Sequence, residues 1–215
     1  MSNTHPINVV ALISGRGSNL QSLINAQQQG KLNVEFSSVI SNRDDAAGLQ
    51  FCERANIPTT VINHTLFKDR LSYDKELIKE IDRHNPYLII LAGFMRILSP
   101  EFVAHYSGRL VNIHPSLLPN FKGLHTHQQA LDAEATEHGA SVHFVTEELD
   151  GGPILMQTAV KVKESDDADT LSQRVLKQEH KLYPAAVQLI AERRVELKNG
   201  KLYVDDSELK QPLRI

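Results

Sequence analysis

Ile7-Asn8-Val9-Val10-Ala11-Leu12-Ile13-Ser14-Gly15-Arg16-Gly17-Ser18-Asn19 is the stretch that decides the fold. Its first half is a nearly continuous apolar run. That reads as a strand buried on both faces, as in a parallel sheet covered by helices. A glycine-rich turn follows at once. Leu20, Leu23 and Ile24 then recur at helical spacing, and Gly30 closes that helix.

Working outward, the alternation repeats. Residues 34–40 read as a second strand, 45–55 as a helix and 58–62 as a third strand. Between 69 and 84, Tyr73, Leu77 and Ile81 recur four apart, and Asn85-Pro86 stops the helix. Tyr87-Leu88-Ile89-Ile90-Leu91-Ala92-Gly93 is the most apolar strand of the chain. Ser99-Pro100 reads as an N-cap followed by proline at the first helical position, with Gly108 past the end. Residues 110–114 form a further strand. This alternation predicts an α/β fold: an open, mostly parallel twisted sheet with a Rossmann-like N-terminal half. After a loop rich in His, Pro and Gly the pattern changes. Residues 140–146 and 154–162 alternate and are expected to pair antiparallel, which makes the C-terminal half mixed. Residues 170–194 read as a long helix kinked at Pro184, and Asn199-Gly200 as the type I′ turn of a hairpin. No repeat or linker interrupts the chain, so one domain over residues 1–215 is expected.

The 215 residues are 41 % apolar and 23 % charged, ordinary for a folded soluble protein. A net charge of −3 lacks the basic footprint of a nucleic-acid binder, so no nucleic-acid partner is expected. The single cysteine, Cys52, excludes an internal disulfide framework and a cysteine-based zinc site. It reads as a small buried residue rather than a nucleophile. No apolar run approaches ~20 residues, and the polar N-terminus lacks a signal-peptide pattern. No membrane partner and a cytoplasmic location are therefore expected. Of ten histidines, six lie between His105 and His143, which marks that region for chemistry.

The loop at residues 14–19 suits an anion, because glycines admit close backbone approach and a helix start presents its N–H groups. It has neither the third glycine of a dinucleotide fingerprint nor the lysine of a triphosphate loop. What remains is a site for a single phosphate, or a tight turn with no ligand. A side chain at Gly17 is expected to stand where a phosphate oxygen must approach.

Asn112 and His114 lie two apart on a strand, so both face one side. They sit at the strand's carboxyl end, where α/β sheets bind ligands. An amide and an imidazole there can stabilise an oxyanion, or can simply be bonded to backbone. Asp150, before Gly151-Gly152, reads as a turn residue that becomes chemical if its loop folds beside His114. His125 and His127, two apart on a strand with His114 as a third ligand, are the one metal reading. Lacking a helical His-Glu-x-x-His or clustered carboxylates, the chain is expected to hold no metal.

Taken together these residues resemble the phosphoribosylglycinamide formyltransferase family. Gly15-Arg16-Gly17-Ser18-Asn19 resembles its phosphate loop, and Leu91-Ala92-Gly93-Phe94-Met95-Arg96-Ile97-Leu98 its folate segment. His114-Pro115-Ser116-Leu117-Leu118-Pro119 with Gly123 resembles its signature, and Asp150-Gly151-Gly152-Pro153-Ile154 its aspartate loop. Gln178-Glu179-His180 with Tyr183-Pro184 resembles its late helix. The resemblance implies the formyltransferase fold and a one-carbon transferase of purine synthesis. Formyl would pass from 10-formyltetrahydrofolate, a co-substrate, to the amine of glycinamide ribonucleotide. It also implies Asn112, His114 and Asp150 as catalytic residues, and Gly17, Ser18, Asn19 and Glu179 for the nucleotide. Arg70, Met95, Arg96, Ile97, Leu98 and Asn112 would serve the folate, with core packing the alternative for the apolar ones. Small-molecule substrates would be its partners. Asn120-Phe121-Lys122 departs from the family pattern, and that loop tip is expected to face solvent. Related methionyl-tRNA formyltransferases carry an extra C-terminal domain and formyltetrahydrofolate deformylases an N-terminal one, and neither is expected here. A non-catalytic phosphate-ligand sensor is the rival from another class.

Overall fold

The computed structural model describes residues 5–215. Contacts divide the chain into two compact units, Met1–Val111 and Asn112–Ile215.

The first unit alternates strand and helix as the apolar runs dictate. Its elements are β1 (Ile7–Ile13), α1 (Ser18–Gln28), β2 (Val34–Ser41), α2 (Leu49–Arg54), β3 (Thr59–Val61), α3 (Arg70–Asp82), β4 (Leu88–Leu91) and α4 (Pro100–His105). β1 lies between β4 and β2, with β3 outside β2, and every pairing is parallel. The register sets Leu12 opposite both Ile40 and Leu91, and all three are buried. Parallel strands covered on both faces have no polar side to show, which is why these runs lack alternation. The caps follow the sequence. The Asp69 carboxylate accepts from Ser72 N at 2.7 Å to start α3, whose Tyr73, Leu77 and Ile81 are buried. Ser99 Oγ accepts from Phe102 N at 3.3 Å, with Pro100 opening α4. α2 is shorter than the predicted 45–55. Gly48 stands at its N-cap, and residues 46–50 close only short turns there, Leu49 N to Ala46 O and Gln50 N to Ala47 O.

β5 (Leu110–His114) is where the chain passes from the first unit to the second. The second unit continues with α5 (Thr126–Asp132), β6 (Glu137–Phe144), β7 (Ile154–Lys161), α6 (Ala168–Ala191), β8 (Val195–Lys198), β9 (Lys201–Val204), β10 (Ser207–Glu208) and β11 (Leu213–Arg214). β6 and β7 pair antiparallel as expected, and β11 adds to β7 in parallel. α6 begins with a reciprocal cap between Asp167 and Thr170. Its apolar face packs on β6 and β7. Pro184 lies inside that helix. Asn199 and Gly200 have φ of 51° and 76°, the positive pair a type I′ turn requires, and join β8 to β9.

Candidate active site

In the first unit, the loop between β1 and α1 is shaped by Gly17. It takes the cap position at φ 71° and ψ 21°, a left-handed conformation that glycine adopts freely, and no side chain caps the helix. An uncapped helix start behind a glycine turn is a setting for an anion. The steric reading of Gly17 needs correction. A Cβ there would lie 2.5 Å from the Cα of Gly48, whereas one on Gly15 would meet nothing within 4 Å. The bare position 17 makes room for neighbouring backbone, and a valine would break the loop rather than block a ligand.

The 95–98 segment is fixed at both ends. Ser14 Oγ accepts from Met95 N at 2.7 Å, and the buried Asp74 carboxylate accepts from Ser99 N at 2.6 Å. Burial pushes the Asp74 carboxyl up, against the opposing pull of Ser99, Arg70 and Arg96. Met95 is 73 % and Ile97 63 % exposed, so core packing does not explain these two apolar side chains. Leu98 is half-buried. The Arg96 guanidinium stands 5.8 Å from the centre of the Tyr73 ring, and Arg70 is exposed at the start of α3.

The second unit brings Asn112, His114 and Asp150 into one cluster. His114 Nδ1 is 3.4 Å from Asp150 Oδ2, with both side chains buried. His114 Nε2 is 2.9 Å from the carbonyl oxygen of Phe121. Each ring nitrogen thus faces an oxygen acceptor. Asp150 adopts a positive φ of 49°, and its Oδ2 accepts from Gly123 N at 2.9 Å. The loop at 120–123 also contributes main-chain groups to the cluster. Asn120 is exposed, but Phe121 and Gly123 turn a carbonyl and an amide inward to grip His114 and Asp150.

His143 belongs to the same cluster, and the sequence reading missed its role. Its Nδ1 lies 3.1 Å from Phe144 O, an acceptor, so Nδ1 carries the hydrogen. Burial pushes its pKa down, which favours the neutral ring. Nε2 then accepts from Asn112 Nδ2 at 3.2 Å and fixes which end of that amide points inward. The signal available in the sequence was the excess of histidines between His105 and His143. Glu179 is buried on α6.

The metal reading of His125 and His127 does not survive. Thr126 opens α5, so the two histidines are not on a strand. His127 Nδ1 instead meets His138 Nε2 at 3.1 Å. Among the described residues no group of His, Cys, Asp and Glu is arranged to hold a metal ion. Cys52 is buried, and burial pushes its thiol up to about 11, so it is inert.

The buried histidines predict an acid weakness. Burial, aided by the neighbouring His127, lowers His138 to about 4. Below an unfolded value near 6.5, the unfolded chain takes a proton that the folded chain refuses until about pH 4. Stability is therefore full above that range and falls as pH drops through it, and His127 and His143 act in the same direction. Urea midpoints at pH 7 and pH 5 check this. His138→Gln should shrink the difference between them, and an unchanged difference would overturn the assignment.

The chain is similar to known proteins over most of its length. The formyl transferase family model matches residues 7–187. The phosphoribosylglycinamide formyltransferase of Escherichia coli (strain K12) is 49 % identical over 203 residues, 94 % of this chain and 96 % of that one. The solved structure of the phosphoribosylglycinamide formyltransferase from Coxiella burnetii superposes with a TM-score of 0.94 at 46 % identity, covering 98 % of this chain and all of that one. A formyltetrahydrofolate deformylase from Pseudomonas syringae pv. tomato gives a TM-score of 0.86 at 28 % identity, over 93 % of this chain and 66 % of that one. With a family match over most of its length and near-half identity to a full-length relative, the chain belongs to the formyl transferase family.

Proposed function

We infer that this protein transfers the formyl group of 10-formyltetrahydrofolate to the amine of glycinamide ribonucleotide, a step of purine synthesis. The observation that carries the chemistry is the cluster of Asn112, His114 and Asp150, with Asp150 3.4 Å from the imidazole. The substrate amine attacks the formyl carbon and a tetrahedral oxyanion forms. Asn112, its amide oriented by His143, donates to that oxygen. So does His114 Nε2–H, which exchanges the Phe121 carbonyl for the oxyanion, since a charged acceptor binds a donor more strongly than a neutral one. Asp150 holds the imidazolium and, through a water, carries the proton lost by the attacking amine to the folate nitrogen as the C–N bond breaks. Ser18 and Asn19, with the backbone of Gly17, hold the substrate phosphate, and Glu179 holds the ribose. Met95, Ile97 and Leu98 supply an apolar surface for the pterin. No helix among the described residues is long and apolar enough to cross a membrane, and we read the protein as cytoplasmic, with small molecules as its partners.

The test is to mix the protein with glycinamide ribonucleotide and a 10-formyl folate and follow the deformylated folate by absorbance. Turnover should require the nucleotide. Equal turnover without it would make the protein a deformylase, and no turnover would leave a binding protein. Arg70 and Arg96 are the cations for the folate glutamate. Arg70→Ala should raise the KM of a folate bearing glutamate and hardly change that of an analogue lacking the carboxylates. Equal losses for both would remove Arg70 from that role.

A further inference from the structure

We propose that Gly48, outside the loop it serves, is the positioning residue that sets the shape of the phosphate loop. The inference rests on reading residues 17–19 as that loop.

Gly48 N donates to Gly15 O at 3.0 Å, which ties the start of α2 to the loop by backbone alone. A Cβ on Gly48 would lie 2.9 Å from Ile13 Cδ1, 3.1 Å from Gly17 Cα and 3.3 Å from Gly15 O. A Cβ on Gly17 would in turn meet Gly48 Cα at 2.5 Å, so the two glycines interlock and each needs the other bare. The requirement differs in kind between them. Gly17 is in the left-handed region, so any side chain there strains the backbone as well. Gly48 has φ −59° and ψ −25°, an ordinary helical conformation that alanine adopts without strain. Alanine at 48 therefore acts only through contact. Of its three neighbours, the Ile13 terminus is a flexible side-chain end, whereas Gly17 Cα and Gly15 O belong to the loop backbone. They can yield only by moving the loop, and a misplacement of a fraction of an ångström in a binding cradle weakens it measurably.

This separates two effects that one substitution would otherwise mix. Ile13→Val removes Cδ1 and relieves the contact in the core. It does nothing for Gly17 or Gly15.

The experiment uses the full chain as Gly48→Ala, Ile13→Val, the double variant and Ser18→Ala. It measures Tm, KM for glycinamide ribonucleotide, kcat/KM for the nucleoside lacking the phosphate, and KM for the folate. Gly48→Ala should raise the nucleotide KM about tenfold, with kcat, the folate KM and the nucleoside kcat/KM unchanged. The double variant should regain Tm and keep the raised nucleotide KM. If Gly48→Ala alone folds poorly, the double variant carries the same comparison against Ile13→Val. Recovery of the nucleotide KM together with Tm would overturn the proposal, because the effect would then come from the core. A raised nucleotide KM in Ser18→Ala, with none in Gly48→Ala, would overturn the role of Gly48 and leave the loop reading standing. No change in either would overturn both.

Discussion

Asp150→Asn is expected to reduce kcat by at least the ~10²–10³ typical of losing one oxyanion donor, while the KM of both substrates changes little. Asparagine keeps the shape of the side chain, and its amide oxygen can still accept from Gly123 N, which meets Asp150 Oδ2 at 2.9 Å. The loop should therefore hold, and what disappears is the charge beside His114 Nδ1 at 3.4 Å. That charge orients the imidazolium and passes the proton, so its loss is felt mainly in the transition state. His114→Ala should cost a similar factor by removing the ring that bridges Asp150 and the Phe121 carbonyl. Because both act on one reacting centre, the double variant should be little slower than the worse single variant. Steady-state kinetics of the three proteins decide the matter. Near-wild-type kcat in either single variant would sink the mechanism, and additive losses would show that the residues do not act as a unit.

The second large effect concerns two adjacent glycines that look equivalent in the sequence and are not. A Cβ on Gly152 would lie 1.9 Å from the carbonyl oxygen of Phe144, a backbone atom beside the cluster, next to His143. Phe144 N donates to Pro153 O at 2.9 Å, so this approach is part of how β6 and β7 begin to pair. A Cβ on Gly151 would meet the end of the Glu148 side chain at 2.3 Å, and that end is exposed and flexible. Gly152→Ala should thus cost about 1–3 kcal/mol or more of stability by overpacking. It should also lower kcat by up to about 10²-fold by displacing Asp150. Gly151→Ala should stay within about 0.5 kcal/mol of the parent, as an ordinary surface change does. Urea midpoints and kcat on the matched pair test this. Similar behaviour of the two variants would contradict the packing described.

Which features were legible in the sequence follows from the range of the forces behind them. β1 and β4 could be read because strands buried on both faces are nearly continuous apolar runs. The cap at Ser99 could be read because a cap is a local event. Asn112 and His114 could be singled out by their spacing. Their meeting with Asp150 depended on a loop fold that spacing does not encode. The start of α2 was misplaced because Ala46 and Ala47 are good helix formers, yet Gly48 is held by the loop after β1. The roles of Phe121 and His143 were missed for a similar reason. One acts through a main-chain carbonyl, which carries no residue signature, and the other through a contact with a residue 31 positions away. The pairing of β11 with β7 was outside expectation because two residues show no period.

That last pairing has a consequence for how the protein behaves at high concentration. The margin of a sheet offers a row of main-chain donors and acceptors to any other extended chain. At Met156 and Gln157 of β7 this row is taken up by β11: Leu213 lies opposite Met156, Arg214 opposite Gln157, and Ile215 N donates to Gln157 O. The covering strand is itself only two residues long and bears an arginine, so the margin it presents in turn is short and charged, a poor template for intermolecular zippering. Residues 213–215 thus shield this part of the β7 margin from another extended chain, a service to the molecule's solubility that no inspection of the reacting groups would bring to light.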